Sequence, residues 1–263
     1  MLVDTHCHLD FDSFDKDRDE VIERAREVGI ERILNPGITL NSSEQAIRLA
    51  EEYPEVFAAV GVHPNDGSDW EAGTKSRLRE LAAHPKVVAI GEIGLDFYRD
   101  HTPHDLQKQI FLEQLDLAAE VNLPVVIHTR ESMAEVLKII EGWQNSLDES
   151  RSDLRKHPGV LHSFSGNLHD AEHAKSLNFI IGITGPVTFR NAKDLQDLVI
   201  RLSLHDLLIE TDAPFLTPHP YRGKRNEPAR VQLVAEKIAE LKQEAYNTVT
   251  DFTTANAANL FDW

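Results

Sequence analysis

Eight short, β-branched apolar runs alternate with longer amphipathic stretches from one end of the chain to the other. The runs are 2–8, 32–36, 57–63, 87–93, 124–128, 160–164, 179–184 and 207–212. Between them, segments such as 17–28, 42–53, 106–121 and 192–202 repeat apolar residues at helical spacing. A strand can rejoin its sheet in parallel only through a crossover, and a helix after each strand supplies one. Eight such units fit a chain of 263 residues, close to the roughly 250 typical of a (β/α)₈ barrel. The expectation is an α/β protein, a single-domain (β/α)₈ TIM barrel over 1–263, with one or two further helices after residue 230 against its wall. The polar segment 145–158 reads as a surface excursion. Segment 214–228 holds four of the 12 prolines and reads as a long, stiffened loop rather than a linker.

Charge narrows the possible partners. With 44 acidic against 27 basic residues the net charge is −17, so most of the surface repels polyanions. That disfavours non-specific coating of DNA through a broad basic face but leaves room for nucleic acid bound at one local site. No apolar run approaches the roughly 20 residues that cross a bilayer. The opening MLVDTHCHLD carries acids and histidines where a secretion signal needs basic and apolar residues. A single cysteine, Cys7, rules out an intrachain disulfide framework. A cytoplasmic protein without membrane contact is expected.

In this barrel, chemistry sits at the C-terminal ends of the strands. Those ends read Asp4-Thr5-His6-Cys7-His8, His63, Gly91-Glu92, His128, His162 and Glu210-Thr211-Asp212. Strand alternation puts His6 and His8 on one face with Cys7 turned away, which makes Cys7 a small core residue. One buried histidine is most often a hydrogen-bonded core group. This many polar groups gathered at one rim are not, because burying each without a partner costs about 1–3 kcal/mol. Imidazole with carboxylate suits zinc, manganese, iron or nickel, and carboxylate with water also suits magnesium. His6, His8, Glu92, His128, His162 and Asp212 are too many ligands for one catalytic ion with an open position. They match two divalent ions sharing a carboxylate bridge, for which Glu92 is the natural candidate.

The segments DTHCHLD (4–10), GVHP (61–64), GEIGLDFY (91–98), PVVIHTR (124–130), HSFSG (162–166), ETDAPFL (210–216) and RGKRNEP (222–228) together resemble the TatD-type metal-dependent deoxyribonucleases and hydrolases of the amidohydrolase-like barrel class. The resemblance runs in order across nearly the whole chain. It implies a TIM barrel, two divalent metals and phosphodiester hydrolysis. By the same resemblance His6, His8, Glu92 and Asp212 would hold one metal, and Glu92, His128 and His162 the second. Two departures stand out: Asn65 follows GVHP where many relatives carry another His, and Asn259 stands where Arg is usual. Many two-zinc amidohydrolases bridge their metals with a carboxylated Lys on the fourth strand. Here that place is Glu92, and no Lys lies nearer than Lys86.

Asp212 is then placed as general base toward the attacking water, with Glu92 as its catalytic partner. His63 has no place in either metal set, so contact with a substrate phosphate and a supporting hydrogen bond both stay open. Glu210, two residues below Asp212, reads as the group that orients a ligand histidine, against a plain buried ion pair. The run Tyr221-Arg222-Gly223-Lys224-Arg225-Asn226 is the densest basic cluster at the catalytic end. Arg222, Lys224 and Arg225 are candidate phosphate contacts, against salt bridges to neighbouring acids such as Glu227. Phe97 and Tyr98 could stack on a base or pack over the barrel mouth. Ser163 and Ser165 beside His162 are not needed as nucleophiles.

The leading expectation is a metal-dependent deoxyribonuclease acting as an exonuclease on single-stranded DNA ends, working as a monomer with no obligate protein partner. The first rival is a small-molecule metallohydrolase of the same barrel class, cleaving a phosphoester, amide or lactone. The second is a barrel whose metals are structural; such sites are normally closed by four ligands, unlike a rim.

Overall fold

A computed structural model describes residues 1–99, 101–148 and 151–263. Its eight strands are β1 Leu2–Asp4, β2 Ile30–Pro36, β3 Val56–Val60, β4 Val87–Asp96, β5 Val125–Arg130, β6 Gly159–Leu161, β7 Ile180–Ile183 and β8 Leu207–Ile209. They pair in parallel in chain order, β1 to β8. The Cys7–Ala213 bridge and the bond from Thr5 N to Ile209 O close the ring. Ten α-helices are described: α1 Arg18–Glu27, α2 Leu40–Glu52, α3 Thr74–Ala82, α4 His104–Val121, α5 Met133–Ser146, α6 Ser152–Lys156, α7 Leu168–Ser176, α8 Lys193–Arg201, α9 Val231–Lys242 and α10 Tyr246–Phe261. The architecture is the expected TIM barrel, and α9 and α10 are the anticipated extra helices. None of the described helices is long and apolar enough to cross a membrane.

Strand alternation builds the barrel interior in layers. Val126 of β5, Val160 of β6 and Leu208 of β8 belong to a buried apolar cluster with Val3, Leu34 and Ala89. Ala257, Leu260 and Phe261 at the end of α10 complete that cluster and close the N-terminal mouth of the barrel. Two residues further on stand His128, within β5, and His162 and Glu210, the residues just after the ends of β6 and β8. A dry floor thus lies directly beneath a polar layer, and the floor is what holds those groups away from bulk water. The larger core cluster fills the space between strands and helices and contains Cys7, fully buried as expected.

Strand lengths differ from the sequence expectation where the site begins. β1 ends at Asp4 and β8 at Ile209, so His6, His8 and Asp212 lie just beyond regular strand, whereas β4 continues to Asp96. The excursion at 145–158 includes the short helix α6, which buries Leu154. Glu149 and Ser150 within it lie outside the described residues. The proline-rich loop is held from inside by Asn226, fully buried, whose Nδ2 donates to Thr211 O (2.9 Å) and Phe215 O (2.8 Å).

Candidate metal centre

The ends of β1 and β8 are locked together below the rim. Asp4 accepts Thr211 N (2.9 Å), Thr211 Oγ1 (2.5 Å) and His6 N (3.3 Å), and Asp212 N donates to His6 O (2.8 Å). Burial pushes the Asp4 carboxyl up to about 8, in spite of those bonds. Asp212 sits in the left-handed region (φ 55°), as does Ser163 (φ 44°), an uncommon conformation for residues with a side chain. These two turns carry the chain abruptly away from the barrel and leave Asp212 and His162 aimed at its axis.

Four donor atoms converge there. His6 Nε2 lies 3.2 Å from His8 Nε2 and 3.4 Å from Glu92 Oε2, and His8 Nε2 lies 3.6 Å from the same oxygen. Asp212 Oδ1 is 3.8 Å from His6 Nε2 and 3.6 Å from His8 Nε2. Ligands about 2.1 Å from one tetrahedral ion stand about 3.4 Å from each other, so these spacings are those of a coordination shell. The cluster offers two imidazole nitrogens and two carboxylate oxygens, a donor set suited to a borderline divalent ion. The donor set therefore fits a divalent cation.

The other oxygen of Glu92 faces a second group. His128 Nδ1 lies 2.9 Å from Glu92 Oε1, and His63 Nε2 lies 3.8 Å from it. His162 Nε2 is 3.6 Å from Asp212 Oδ1, with its ring stacked on His6 at 3.4 Å between centroids. Glu92 thus presents one oxygen to each side, the disposition of a bridging carboxylate. The grouping differs from the expectation: one close donor group is His6, His8 and Asp212 without Glu92, and the other two join His63 to Glu92 and His128, and His162 to His6 and Glu92. A hydrogen bond separates the two cases. His63 Nδ1 accepts Asn65 N (3.1 Å), and burial, with His128 beside it, lowers the ring to about 3. With Nδ1 accepting, a neutral ring carries its proton on Nε2 and can donate toward the cavity.

Electrostatics follow from this crowding. Burial alone would raise Glu92, but His6, His63 and the bonded His128 hold it well below the usual carboxylate range. Burial likewise opposes the charged form of His162, yet the Glu210 charge and hydrogen bond raise it to about 9. His128 rises to about 8 against burial, through bonds to Asp96 and Glu92. Without a cation, protons on these rings balance the carboxylates.

Supporting contacts define the next layer. Glu210, fully buried, accepts His162 Nδ1 and Ser163 N, both at 2.9 Å, and Thr5 Oγ1 at 3.4 Å. Asp96 Oδ2 lies 3.3 Å from His128 Nε2 and accepts Asn65 Nδ2 (3.0 Å), so the Asn65 amide fixes the carboxylate that faces His128. The sequence reading passed over Asp96, although its place four residues after Glu92 on a strand puts both on one face.

The donors open into a cavity of about 640 Å³. Besides the histidines, its wall includes Phe11, Phe215, Arg99, His101 and Arg130, none of them singled out from sequence. Tyr98 is exposed, with the Arg130 guanidinium 3.7 Å from its ring centre. The basic loop lies outside this cavity, and one of its cations is paired. Arg225 grips both oxygens of Asp17 (2.7 and 2.6 Å), and Arg222 lies over the Phe189 ring at 4.4 Å. Lys224 stands 5.7 Å from the Tyr221 ring centre, and no residue of 221–225 is among the described residues lining the cavity.

A family model, TatD related DNase, matches residues 3–262. The chain belongs to the TatD related DNase family. It is 44% identical to an uncharacterized metal-dependent hydrolase, YabD, of Bacillus subtilis strain 168, over 99% of each chain. It is 37% identical to the 3′-5′ ssDNA/RNA exonuclease TatD of Escherichia coli K12, covering 99% of this chain and 98% of that one. Among solved structures, YJJV, a TatD homolog from Escherichia coli K12, superposes with a TM-score of 0.92 at 31% identity, over 100% of this chain and 98% of the other. An organophosphorus hydrolase mutant from Deinococcus radiodurans, at 12% identity and a TM-score of 0.64, shares the fold alone.

Proposed function

We propose that this protein is a metal-dependent nuclease that removes nucleotides from the ends of single-stranded DNA. The observation that carries the reading is the convergence of His6, His8, Glu92 and Asp212 donor atoms in an open rim cavity, in a chain of the TatD related DNase family. Two divalent ions, one held by His6, His8, Glu92 and Asp212 and one by Glu92, His128 and His162, would supply charge neutralisation at the phosphate and a more acidic water. Asp212, its carboxyl held below the usual range despite burial by His8 and His162, accepts the proton of the attacking water. His63 Nε2–H donates to a non-bridging phosphate oxygen. Glu210 and Asp96 keep His162 and His128 in orientation through the bonds described above.

Relatives named as 3′-5′ ssDNA/RNA exonucleases support the substrate class and polarity. Arg99 and Arg130 at the cavity wall supply local positive charge in an acidic protein, and Tyr98 a stacking face. Arg222 and Lys224, exposed on the loop after Asp212, are the contacts for more distant phosphates.

The test uses a 5′-labelled single-stranded oligonucleotide with protein stripped by chelator and refilled with Mg²⁺, Mn²⁺ or Zn²⁺. A metal-dependent ladder of shortened, still-labelled products is expected. No cleavage with any ion, while metal remains bound, would overturn the reading in favour of a small-molecule hydrolase.

A further inference from the structure

Phe215 is a large apolar side chain left 52% exposed three residues after Asp212, on the wall of the metal cavity. Nothing about it is slack. Its N–H donates to Asp212 O (2.8 Å), and its carbonyl accepts Nδ2 of the buried Asn226 (2.8 Å). Its ring meets Phe11 edge-on at 5.8 Å, and Phe11 in turn stacks on His8 at 4.8 Å. A rigid aromatic step therefore descends from solvent to a candidate metal ligand. The loops after β8 and β1 that form it lie across the barrel from those after β4 and β5, which carry Arg99 and Arg130. One wall is aromatic, the other cationic, with the donor cluster between them. Holding an exposed ring in place by backbone bonds is the arrangement that lowers the ordering cost when a flat ligand lands on it.

We infer that Phe215, backed by Phe11, is the subsite for the terminal nucleobase of the strand, stacking the nucleotide about to be released while the retained chain leaves over Arg99 and Arg130. This rests on the nuclease reading above and adds where the end is held. A stacking face accepts any base, so the subsite selects an unpaired end without reading sequence. A paired terminal base is stacked on its neighbour and cannot occupy it. The cavity volume of about 640 Å³ leaves room for one nucleotide.

The experiment compares wild type, Phe215→Ala and Phe215→Trp on two single-stranded oligonucleotides, one ordinary and one whose 3′-terminal nucleotide is a tetrahydrofuran without a base. On the ordinary strand Phe215→Ala is expected to lose about 5- to 100-fold in kcat/KM for release of the first nucleotide. Phe215→Trp is expected to retain it. On the baseless end wild type falls to the level of Phe215→Ala, and the substitution then has little further effect. An equal loss on both substrates, or no loss on either, overturns the subsite. If wild type itself releases no nucleotide, the nuclease reading has failed instead. Because the side chain is half exposed, a melting curve matching wild type shows that Phe215→Ala is folded.

Discussion

Gly182 on β7 lies against the carboxyl of Glu210, and the absence of a side chain there is what lets Glu210 reach His162. A Cβ built on Gly182 would stand 2.5 Å from Cδ and Oε2 of Glu210, where ordinary contact begins at 3.4 Å. Gly182→Ala must therefore displace the carboxyl by about 0.9 Å, estimated from those contact limits. Glu210 is fully buried, so it cannot swing into water. That shift breaks or strains its 2.9 Å bonds to His162 Nδ1 and Ser163 N, each a charge-assisted bond of about 1.5–3 kcal/mol. Loss of the group that orients a ligand histidine lowers metal affinity about 10- to 100-fold. The chain should also lose about 3–5 kcal/mol of stability, as when a buried pair is broken. Gly142, exposed within α5 with nothing within 4 Å of its Cβ position, is the control. Gly142→Ala should leave metal affinity unchanged and stabilise by about 0.5–1 kcal/mol. Calorimetric titration of chelator-stripped protein with Mn²⁺, alongside thermal melting, reads both quantities. A lower Tm with unchanged metal affinity would make Glu210 a buried ion-pair partner and nothing more. No change in either would refute the packing argument itself.

Three further outcomes are expected. Asp212→Asn keeps a residue tolerant of φ 55° but removes the base, so the protein should fold while turnover drops about 10²- to 10⁴-fold; near-normal cleavage would sink the assignment. In stripped protein, His128 and His162 are raised from 6.5 to about 8 and 9, so their stabilising contribution is complete below about pH 6.5 and is lost as pH rises through 8 and 9. Metal must displace those protons, so melting of the stripped protein should weaken from pH 7 to 9 while apparent metal affinity rises about tenfold or more; a flat affinity would contradict the ligand set. Arg225→Gln should lower Tm by about 1–3 °C through loss of the Asp17 pair and leave KM for DNA unchanged, whereas charge reversal at Arg222 and Lys224 should raise KM; the opposite pattern would return Arg225 to the substrate path.

How far the chain could be read before folding depends on which information is local. Eight apolar runs and their helical partners are local patterns, and they produced the barrel. His6, His8, Glu92, His128, His162 and Asp212 could be gathered from strand ends because the topology brings all such ends to one rim. Contacts between distant segments were not legible. Arg225 and Asp17 lie 208 positions apart, so nothing near either residue announces their pairing. Asp96 went unnoticed because β4 was expected to end at Ile93, which hid its alternation with Glu92. Phe215 looked like one more apolar residue in a proline-rich loop; only its exposure above the donor cluster sets it apart. His63 was left between two roles, and the amide of Asn65 at its Nδ1 favours the donor role, through a bond that sequence spacing does not encode.

The most direct measurement of the central claim is stepwise reconstitution of stripped protein with Mn²⁺, counting bound ions while following release of mononucleotides from single-stranded DNA. The account predicts that activity is absent without metal, completes near two ions per chain, and is lost in Glu92→Gln, which weakens both sites together. Cleavage that persists in the stripped protein, or that is complete with a single ion and indifferent to Glu92→Gln, would contradict it.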